Sequence, residues 1–190
     1  MPVALDTVAA DASGCTRCPL AAERTQVVFG SGDPAADVMI VGEAPGAEED
    51  ARGLPFVGRS GKLLERLLAE EMGLARDDVY ISNTVKCRPP GNRDPKPAEV
   101  AACAGWLDTQ LDLIEPRVVV TLGNFATRAL LGTTEGITKL RGRSYPWRGS
   151  TLVPTFHPAA VLRGGADPMA KVRADLVRAK LAVAATPEAW

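Results

Sequence analysis

The four cysteines of the chain are spaced in a way that favours a metal site over isolated buried thiols. Cys15 and Cys18 are separated by two residues and precede a proline, so both thiols can face one point. Cys87 and Cys103 lie far along the chain, with fifteen residues between them. Spacing alone leaves both a zinc ion and an iron–sulfur cluster open. Either would tie the N-terminal segment to the middle of the chain.

Four polar residues follow the four strands that the hydrophobic pattern predicts, and they are Glu43, Asn83, Asn124 and His157. Ligands of open parallel sheets bind at the carboxyl ends of the strands, so we expect these side chains to lie at one edge. Glu43 could act as a base if it reached a water in a confined pocket. The alternatives are a solvated loop carboxylate and, for the chain's one histidine, a capping or core role.

Two glycine-rich segments follow the first predicted strand. Residues 42–46 (GEAPG) predict a tight turn whose N–H groups could bind an anion or a carbonyl. Phe56, within residues 53–58 (GLPFVG), is placed to stack on a flat ring, although packing inside the loop is its ordinary explanation. Residues 58–63 lack the spacing of a Walker A phosphate loop, and residues 42–46 lack that of a dinucleotide-binding turn.

Net charge gives no global indication of a nucleic-acid partner, because 22 basic and 23 acidic residues leave a formal charge of −1. One local run is basic, with no acidic residue between positions 136 and 150. Its members are Lys139, Arg141, Arg143 and Arg148. Such a run usually forms a solvated face, but beside a strand-end pocket it would suit a phosphate backbone.

The elements that must position these residues alternate along the chain. Strands are predicted near 37–42, 79–82, 117–122 and 151–155, and helices near 60–72, 98–113, 125–131 and 168–184. Ser60 is the expected N-cap of the first helix, and Gly73 is expected to end it. Buried strands alternating with helices predict an α/β fold, a mainly parallel sheet with helices on both faces. We predict one domain over residues 1–190, with residues 1–36 as an arm that carries two cysteines.

The composition is that of a globular protein, with 46 % hydrophobic and 24 % charged residues. These proportions exclude a disordered, collagen-like or coiled-coil chain. No apolar run is long enough for a transmembrane helix. The first residues lack the basic region of a signal peptide, so we expect a cytoplasmic protein without a membrane partner.

Six motifs, in order, resemble the family 4 uracil-DNA glycosylases. They cover the chain from about Cys15 to Arg163 and read C-x2-C-P, G-E-A-P-G, G-L-P-F-V-G, N-T-V-K-C-R-P-P, C-x15-C and H-P-A. The resemblance implies a three-layer α/β/α sandwich with a central four-stranded sheet. It implies a structural [4Fe–4S] cluster on Cys15, Cys18, Cys87 and Cys103. It also implies excision of uracil from single- or double-stranded DNA in base-excision repair, and we expect a monomer.

The same resemblance implies roles for the strand-end residues. Glu43 would orient or activate water, and His157 would donate to uracil O2, where negative charge develops. Phe56 would stack on the extruded base, while the Asn83 amide accepts from N3–H and donates to O4. Cytosine presents the opposite pattern and would be rejected. The remaining assignments are base binding by the Gly42 and Ala44 backbone, exclusion of the thymine methyl by Glu49, and phosphate contacts by Arg141, Arg143 and Arg163.

Three other functions stay open on the sequence. A covalent uracil-trapping relative uses a histidine in the loop after the second strand, but residues 89–95 contain none, and position 44 is Ala rather than Gln. A non-catalytic iron–sulfur module would bind DNA without releasing uracil. A nucleotide-using α/β enzyme is disfavoured by the absent phosphate loop.

Overall fold

A six-stranded sheet forms the centre of the protein, which a computed structural model describes over residues 4–185. The strands are β1 (Ser31–Gly32), β2 (Val38–Gly42), β3 (Tyr80–Asn83), β4 (Val118–Leu122), β5 (Tyr145–Trp147) and β6 (Ser150–Thr155). Their order is β1-β3-β2-β4-β6-β5. The four central strands β3, β2, β4 and β6 are parallel, and the edge strands β1 and β5 are antiparallel to their neighbours.

Eight α-helices pack around this sheet in the described part of the chain. They are α1 (Leu5–Ser13), α2 (Ala47–Arg52), α3 (Arg59–Leu67), α4 (Pro97–Ile114), α5 (Gly123–Leu131), α6 (Ile137–Leu140), α7 (Pro158–Gly164) and α8 (Ala166–Ala184). A π-helical turn, Leu68–Met72, continues α3. Within residues 4–185, no helix combines the length and apolar character that crossing a membrane requires.

The core lies in two layers, one on each face of the sheet, as the sequence predicts for an α/β/α sandwich. On one face, Val38, Ile40 and Val120 pack with leucines of α3 and with residues of α7 and α8. On the other face, Met39 and Val119 pack with α4 and with α5. All five residues of β2 and all five residues of β4 are buried, because helices cover both faces of these strands.

The predicted strands are confirmed, and the structure adds two edge strands of two and three residues. Strands this short carry no alternation of polar and apolar residues by which the sequence could reveal them. The helix expected from Ser60 begins earlier, with Gly58 as its N-cap, so the prediction of Ser60 as the cap is wrong. Gly73 ends the helical segment as predicted, in a left-handed conformation.

The segment predicted as an arm is packed onto the domain over its described part. Helix α1 contacts α4, and Val8, Leu20 and Phe29 are buried in one cluster with Trp106. The antiparallel pairing of β1 with β3 attaches the end of this segment to the sheet. The ends of the predicted domain, residues 1–3 and 186–190, lie outside the described residues.

Candidate active site and cysteine cavity

The carboxyl ends of the central strands open onto one cleft of about 830 Å³. Glu43, Asn83, Asn124 and His157 all line it, so the predicted convergence of strand-end residues is observed. The parallel registers cause this convergence, since Gly42 of β2 pairs with Asn83 of β3 and β6 ends two residues before His157. Ala44, Glu49, Phe56 and Arg163 also line the cleft.

Position 42 must be glycine because two other side chains come close to it, and not because its backbone conformation needs a glycine. A Cβ at this position would lie 2.5 Å from Asn83 Oδ1 and 2.7 Å from the Phe56 ring. Both distances are shorter than nonbonded atoms tolerate. The missing side chain therefore lets Asn83 and Phe56 meet over the end of β2, on one side of the cleft.

The Asn83 side chain has no hydrogen-bond partner among residues 4–185. It is 1 % exposed, and its Nδ2 and Oδ1 are the only buried side-chain polar atoms without a hydrogen bond in the part of the chain that the structure describes. Leaving a buried polar group unpaired costs about 1–3 kcal/mol, and such a group in a native structure requires an explanation. A ligand in the cleft that accepts one hydrogen bond and donates another would satisfy both atoms.

Phe56 is held in a conformation that aromatic residues avoid. Its φ is +52°, and its ring centroid lies 5.7 Å from that of His157 with a tilt of 33°. A left-handed non-glycine residue costs about 1–3 kcal/mol and persists only where its surroundings impose it. The ring is thereby presented to the cleft beside His157, where a flat ligand can stack on it.

Glu43 is half-buried at the start of the loop after β2. Burial, and to a lesser degree the negative charge of Asp94, which also lines the cleft, raises the pKa of its carboxyl from 4.5 to about 7. The loop backbone is fixed against the end of β3, because the Thr84 hydroxyl and the Val85 amide both donate to the Glu43 carbonyl, at 2.6 and 3.1 Å. A carboxyl with this pKa can take up a proton from water near neutral pH.

The tautomer of His157 follows from its hydrogen bond. The Ala159 backbone N–H donates to Nδ1 at 3.1 Å, so in the neutral ring the proton is on Nε2. Burial, together with the positive charge of Arg163 and against the opposing effect of Glu49, lowers the pKa of His157 from 6.5 to about 4. The imidazole is therefore neutral at neutral pH and can donate a hydrogen bond from Nε2–H to a ligand.

Glu49 joins the two glycine-rich loops. Its Oε2 accepts from the Gly46 backbone N–H at 3.1 Å, and its Oε1 accepts from the N–H groups of Val57 and Gly58 at 3.0 Å each. The carboxylate thus fixes the loop of residues 42–46 relative to the loop that carries Phe56. The sequence predicts Glu49 as the residue that excludes the thymine methyl; the structure places it in the cleft lining, where it holds both loops.

Asn124 has a structural partner, unlike Asn83. Its Oδ1 accepts from the Ile137 backbone N–H at 2.8 Å and so holds the start of α6. Its neighbour Gly123 has a φ of +85°, and a Cβ there would lie 3.2 Å from His157 Cβ. Asn124 therefore positions the start of α6, and Gly123 leaves room for the His157 side chain.

The four cysteines line a second, smaller cavity on the α4 side of the sheet. None forms a disulfide. Three of the sulfurs accept hydrogen bonds: Cys15 from Trp106 Nε1 at 3.4 Å, Cys103 from the Lys86 backbone N–H at 3.3 Å, and Cys87 from the Arg24 guanidinium at 3.5 Å. Donors aimed at sulfur, one of them cationic, suit thiolate ligands.

The four cysteines border one cavity, but their side chains do not form a site for a single metal ion. Among residues 4–185, no three His, Cys, Asp or Glu side chains are close enough to bind a single metal ion. A zinc ion needs four sulfurs at about 2.3 Å from one centre, whereas the cysteines of a [4Fe–4S] cluster bind separate iron atoms and lie further apart. Four cysteines around one cavity, three of them with donors to sulfur, are the residues that could hold a metal ion or a cluster there.

Comparison with known proteins identifies the family of the chain. A family model described as the uracil DNA glycosylase superfamily matches residues 29–177. The chain belongs to the uracil DNA glycosylase superfamily.

Several curated members of the superfamily match most of the chain. The type-4 uracil-DNA glycosylase of Thermotoga maritima is 47 % identical over 87 % of this chain and 88 % of its own length. That of Sulfurisphaera tokodaii is 46 % identical over 83 % of this chain and 76 % of its own. That of Saccharolobus solfataricus is 43 % identical over 96 % of this chain and 88 % of its own.

The basic residues of this superfamily member are arranged differently from the sequence expectation. Arg141 forms a two-point ion pair with the fully buried Asp175, at 2.8 and 2.7 Å. Its guanidinium neutralises this buried carboxylate, so we no longer assign Arg141 to a contact with DNA. Arg143 is exposed but lies outside the cleft lining, whereas Arg163 is part of it. The cleft also contains three arginines that sequence reasoning missed, Arg59, Arg93 and Arg128.

A local signal for the missed arginines is present only for Arg59, which begins α3 directly after a glycine-rich loop. Arg93 and Arg128 are brought to the cleft by the packing of segments that are distant in sequence, so no local pattern marks them. Arg93 makes a two-point ion pair with the buried Glu99, at 2.9 and 2.7 Å, which holds the loop that carries Asp94. That pair lowers the pKa of Glu99 to about 2.

Proposed function

We propose that the protein is a uracil-DNA glycosylase, which extrudes uracil from DNA, hydrolyses its N-glycosidic bond and leaves an abasic site. The observation that carries this proposal is the buried, unpartnered Asn83 amide in a cleft shared with Glu43 and His157. Membership in the superfamily and the identity to type-4 uracil-DNA glycosylases support it.

Base recognition would take place on the side of the cleft formed by β2 and β3. The Asn83 Oδ1 would accept from uracil N3–H, and its Nδ2 would donate to O4. Phe56 would stack on the ring, and the backbone of Gly42 and Ala44 lies beside it. Cytosine has an unprotonated N3 and an amino group at this edge, so both bonds would be lost, which typically costs a factor of about 10⁴.

Thymine exclusion would depend on the shape of the loops that Glu49 joins. The thymine methyl projects from the edge of the ring next to O4, and a loop held by three hydrogen bonds to one carboxylate cannot move aside for it. Glu49 would therefore act on selectivity through the position of residues 46, 57 and 58 and not through direct contact.

Hydrolysis would divide between the two ionisable residues. Water attacks C1′ while the C1′–N1 bond breaks. The electron pair of that bond passes into the uracil ring as negative charge on O2. The ionised Glu43 orients the water and takes its proton. The Nε2–H of neutral His157 stabilises the charge on O2, and removing such a donor typically costs about 10²–10³ in rate.

The cysteine cavity would hold a [4Fe–4S] cluster through Cys15, Cys18, Cys87 and Cys103. A bound cluster would supply covalent cross-links among three separate parts of the chain. Cys15 and Cys18 lie beside α1, Cys87 follows β3, and Cys103 lies in α4. The hydrolysis involves no oxidation or reduction, so the group is assigned a structural role. The visible absorption of an iron–sulfur cluster should be present in the purified protein and in Glu43→Gln, and absent in Cys87→Ser.

The experiment that tests the activity is single-turnover release of labelled base from matched oligonucleotides with one uracil, cytosine or thymine. We expect release from the uracil strand alone, and an alkali-labile abasic site at that position. Binding without release would indicate the non-catalytic module instead. A DNA–protein adduct that survives a denaturing gel would indicate the covalent-trapping chemistry.

A further inference from the structure

One arginine holds, from behind the cleft, the loop that presents Phe56. Arg76 lies in a short 3-10 turn, Arg76–Asp78, ahead of β3, and is not part of the cleft lining. Its Nη1 donates to the Phe56 carbonyl oxygen at 3.0 Å, and its Nη2 donates to the carbonyl oxygen of Pro55. Two successive carbonyls of the loop are thus bonded by a single guanidinium group.

The guanidinium group is itself fixed by two further partners. Nη1 also donates to Glu65 Oε1 at 3.0 Å, and Nη2 donates to Ser31 Oγ at 3.2 Å. Arg76 therefore joins β1, α3 and the Phe56 loop at one point. The planar group presents several N–H donors in fixed directions, and the ammonium of a lysine cannot reproduce this geometry.

Phe56 needs such support because of its backbone conformation. Its φ of +52° is disfavoured for an aromatic residue, so the peptide tends to relax unless its carbonyl is held. On the other side, the carbonyl lies against α3, where a Cβ at Gly61 would come within 1.8 Å of Phe56 O. The carbonyl is thus confined between the backbone at Gly61 and the Arg76 guanidinium.

We infer that Arg76 is a positioning residue for base stacking: it holds Phe56 in the left-handed conformation that turns the ring toward His157 and the Asn83 amide. That the ring stacks on a base depends on the proposed function. The effect of Arg76 on the loop conformation does not depend on it. Without Arg76, the loop can return to extended backbone, and the ring leaves the position over Gly42.

The first test compares Arg76→Met with Glu65→Gln, which removes the negative charge beside Arg76 but keeps an acceptor for it. In single-turnover excision below saturation, Arg76→Met should lose about tenfold, the scale of one base–aromatic stack. Glu65→Gln should remain within about twofold of the wild type, because the Glu65 side chain is exposed and the amide oxygen can still accept from Arg76. Arg76→Lys should lie between them.

A double-mutant cycle separates positioning from general damage to the fold. In a Phe56→Ala background there is no ring to place, so Arg76→Met should cause no further loss of excision. Losses that multiply in the double variant would overturn the inference, because Arg76 would then act independently of Phe56. Thermal unfolding of each variant fixes an assay temperature at which all are folded.

A readout that needs no activity is 19F NMR of protein labelled with 4-fluorophenylalanine. The chain has four phenylalanines, and the resonance of Phe56 is the one that disappears in Phe56→Leu. Arg76→Met should shift or broaden this resonance and leave the other three in place. An unchanged resonance in Arg76→Met would overturn the inference. If the resonance shifts but the wild-type protein itself releases no uracil, the inference is retained and the proposed function is overturned.

Discussion

At the level of single residues, burial shifts the two ionisable groups of the cleft toward their neutral forms. It raises the pKa of Glu43 to about 7 and lowers that of His157 to about 4. Between these values both groups are uncharged. The combination that hydrolysis needs, an ionised Glu43 and a neutral His157, is therefore populated only as the pH rises through about 7.

The rate of uracil excision should follow this ionisation. Under single-turnover conditions the rate should rise with pH to a plateau, with a midpoint near 7. Glu43→Gln should lower the plateau by at least about tenfold and abolish the pH dependence, because the amide cannot accept the proton. Asp94→Asn removes a like charge and should move the midpoint to lower pH. A Glu43→Gln profile with an unchanged midpoint would contradict the assignment.

The Asn83 amide predicts opposite changes in stability and activity. Asn83→Leu replaces two unpaired buried polar atoms by apolar atoms of similar volume, so the free energy of unfolding should rise by about 1–2 kcal/mol. Uracil release should fall below detection, because nothing would then pair with N3–H and O4. Urea unfolding and base release on the same preparation check both. A clear loss of stability would mean that the amide has partners in the free protein.

At the level of elements, the strand ends are predictable and the loops that join them are less so. Apolar runs such as residues 38–41 identify buried strands, and parallel order then brings Glu43, Asn83 and His157 to one edge. The unpaired state of Asn83 and the left-handed Phe56 depend on contacts between distant segments. No local pattern encodes them, which is also why Arg76 and Asp94 were not singled out from the sequence.

Gly42 gives a prediction about the contact between β2 and β3. Gly42→Ala should keep the fold, since the backbone there is an ordinary strand, but the new Cβ would displace Asn83 or Phe56. A displacement of about 1 Å can cost on the order of 10²-fold in rate. The control is Gly105→Ala in α4, where a Cβ meets only the end of Arg17 at 3.8 Å. Equal activity of both variants would contradict the packing argument.

For the whole molecule, a net charge of −1 must be reconciled with a polyanionic substrate. The cleft contains four arginines and four acidic residues, so its formal charges balance. The first residues of α3 and α5, Arg59 and Gly123, lie at its edge, and the N-terminal ends of these helices add partial positive charge there. DNA binding therefore depends on where the charges lie and not on their sum.

Two arginines of the chain distinguish a DNA contact from a structural ion pair. Arg163 is exposed in the cleft, so Arg163→Ala should weaken DNA binding and reduce the slope of log K against log salt by about 1. Arg141→Ala should leave that slope unchanged and destabilise the fold by about 3 kcal/mol, because Asp175 would remain buried without its main partner. Fluorescence anisotropy at several salt concentrations, together with urea unfolding, measures both quantities. If Arg141→Ala reduced the slope and Arg163→Ala did not, the assignment of phosphate contacts would be reversed.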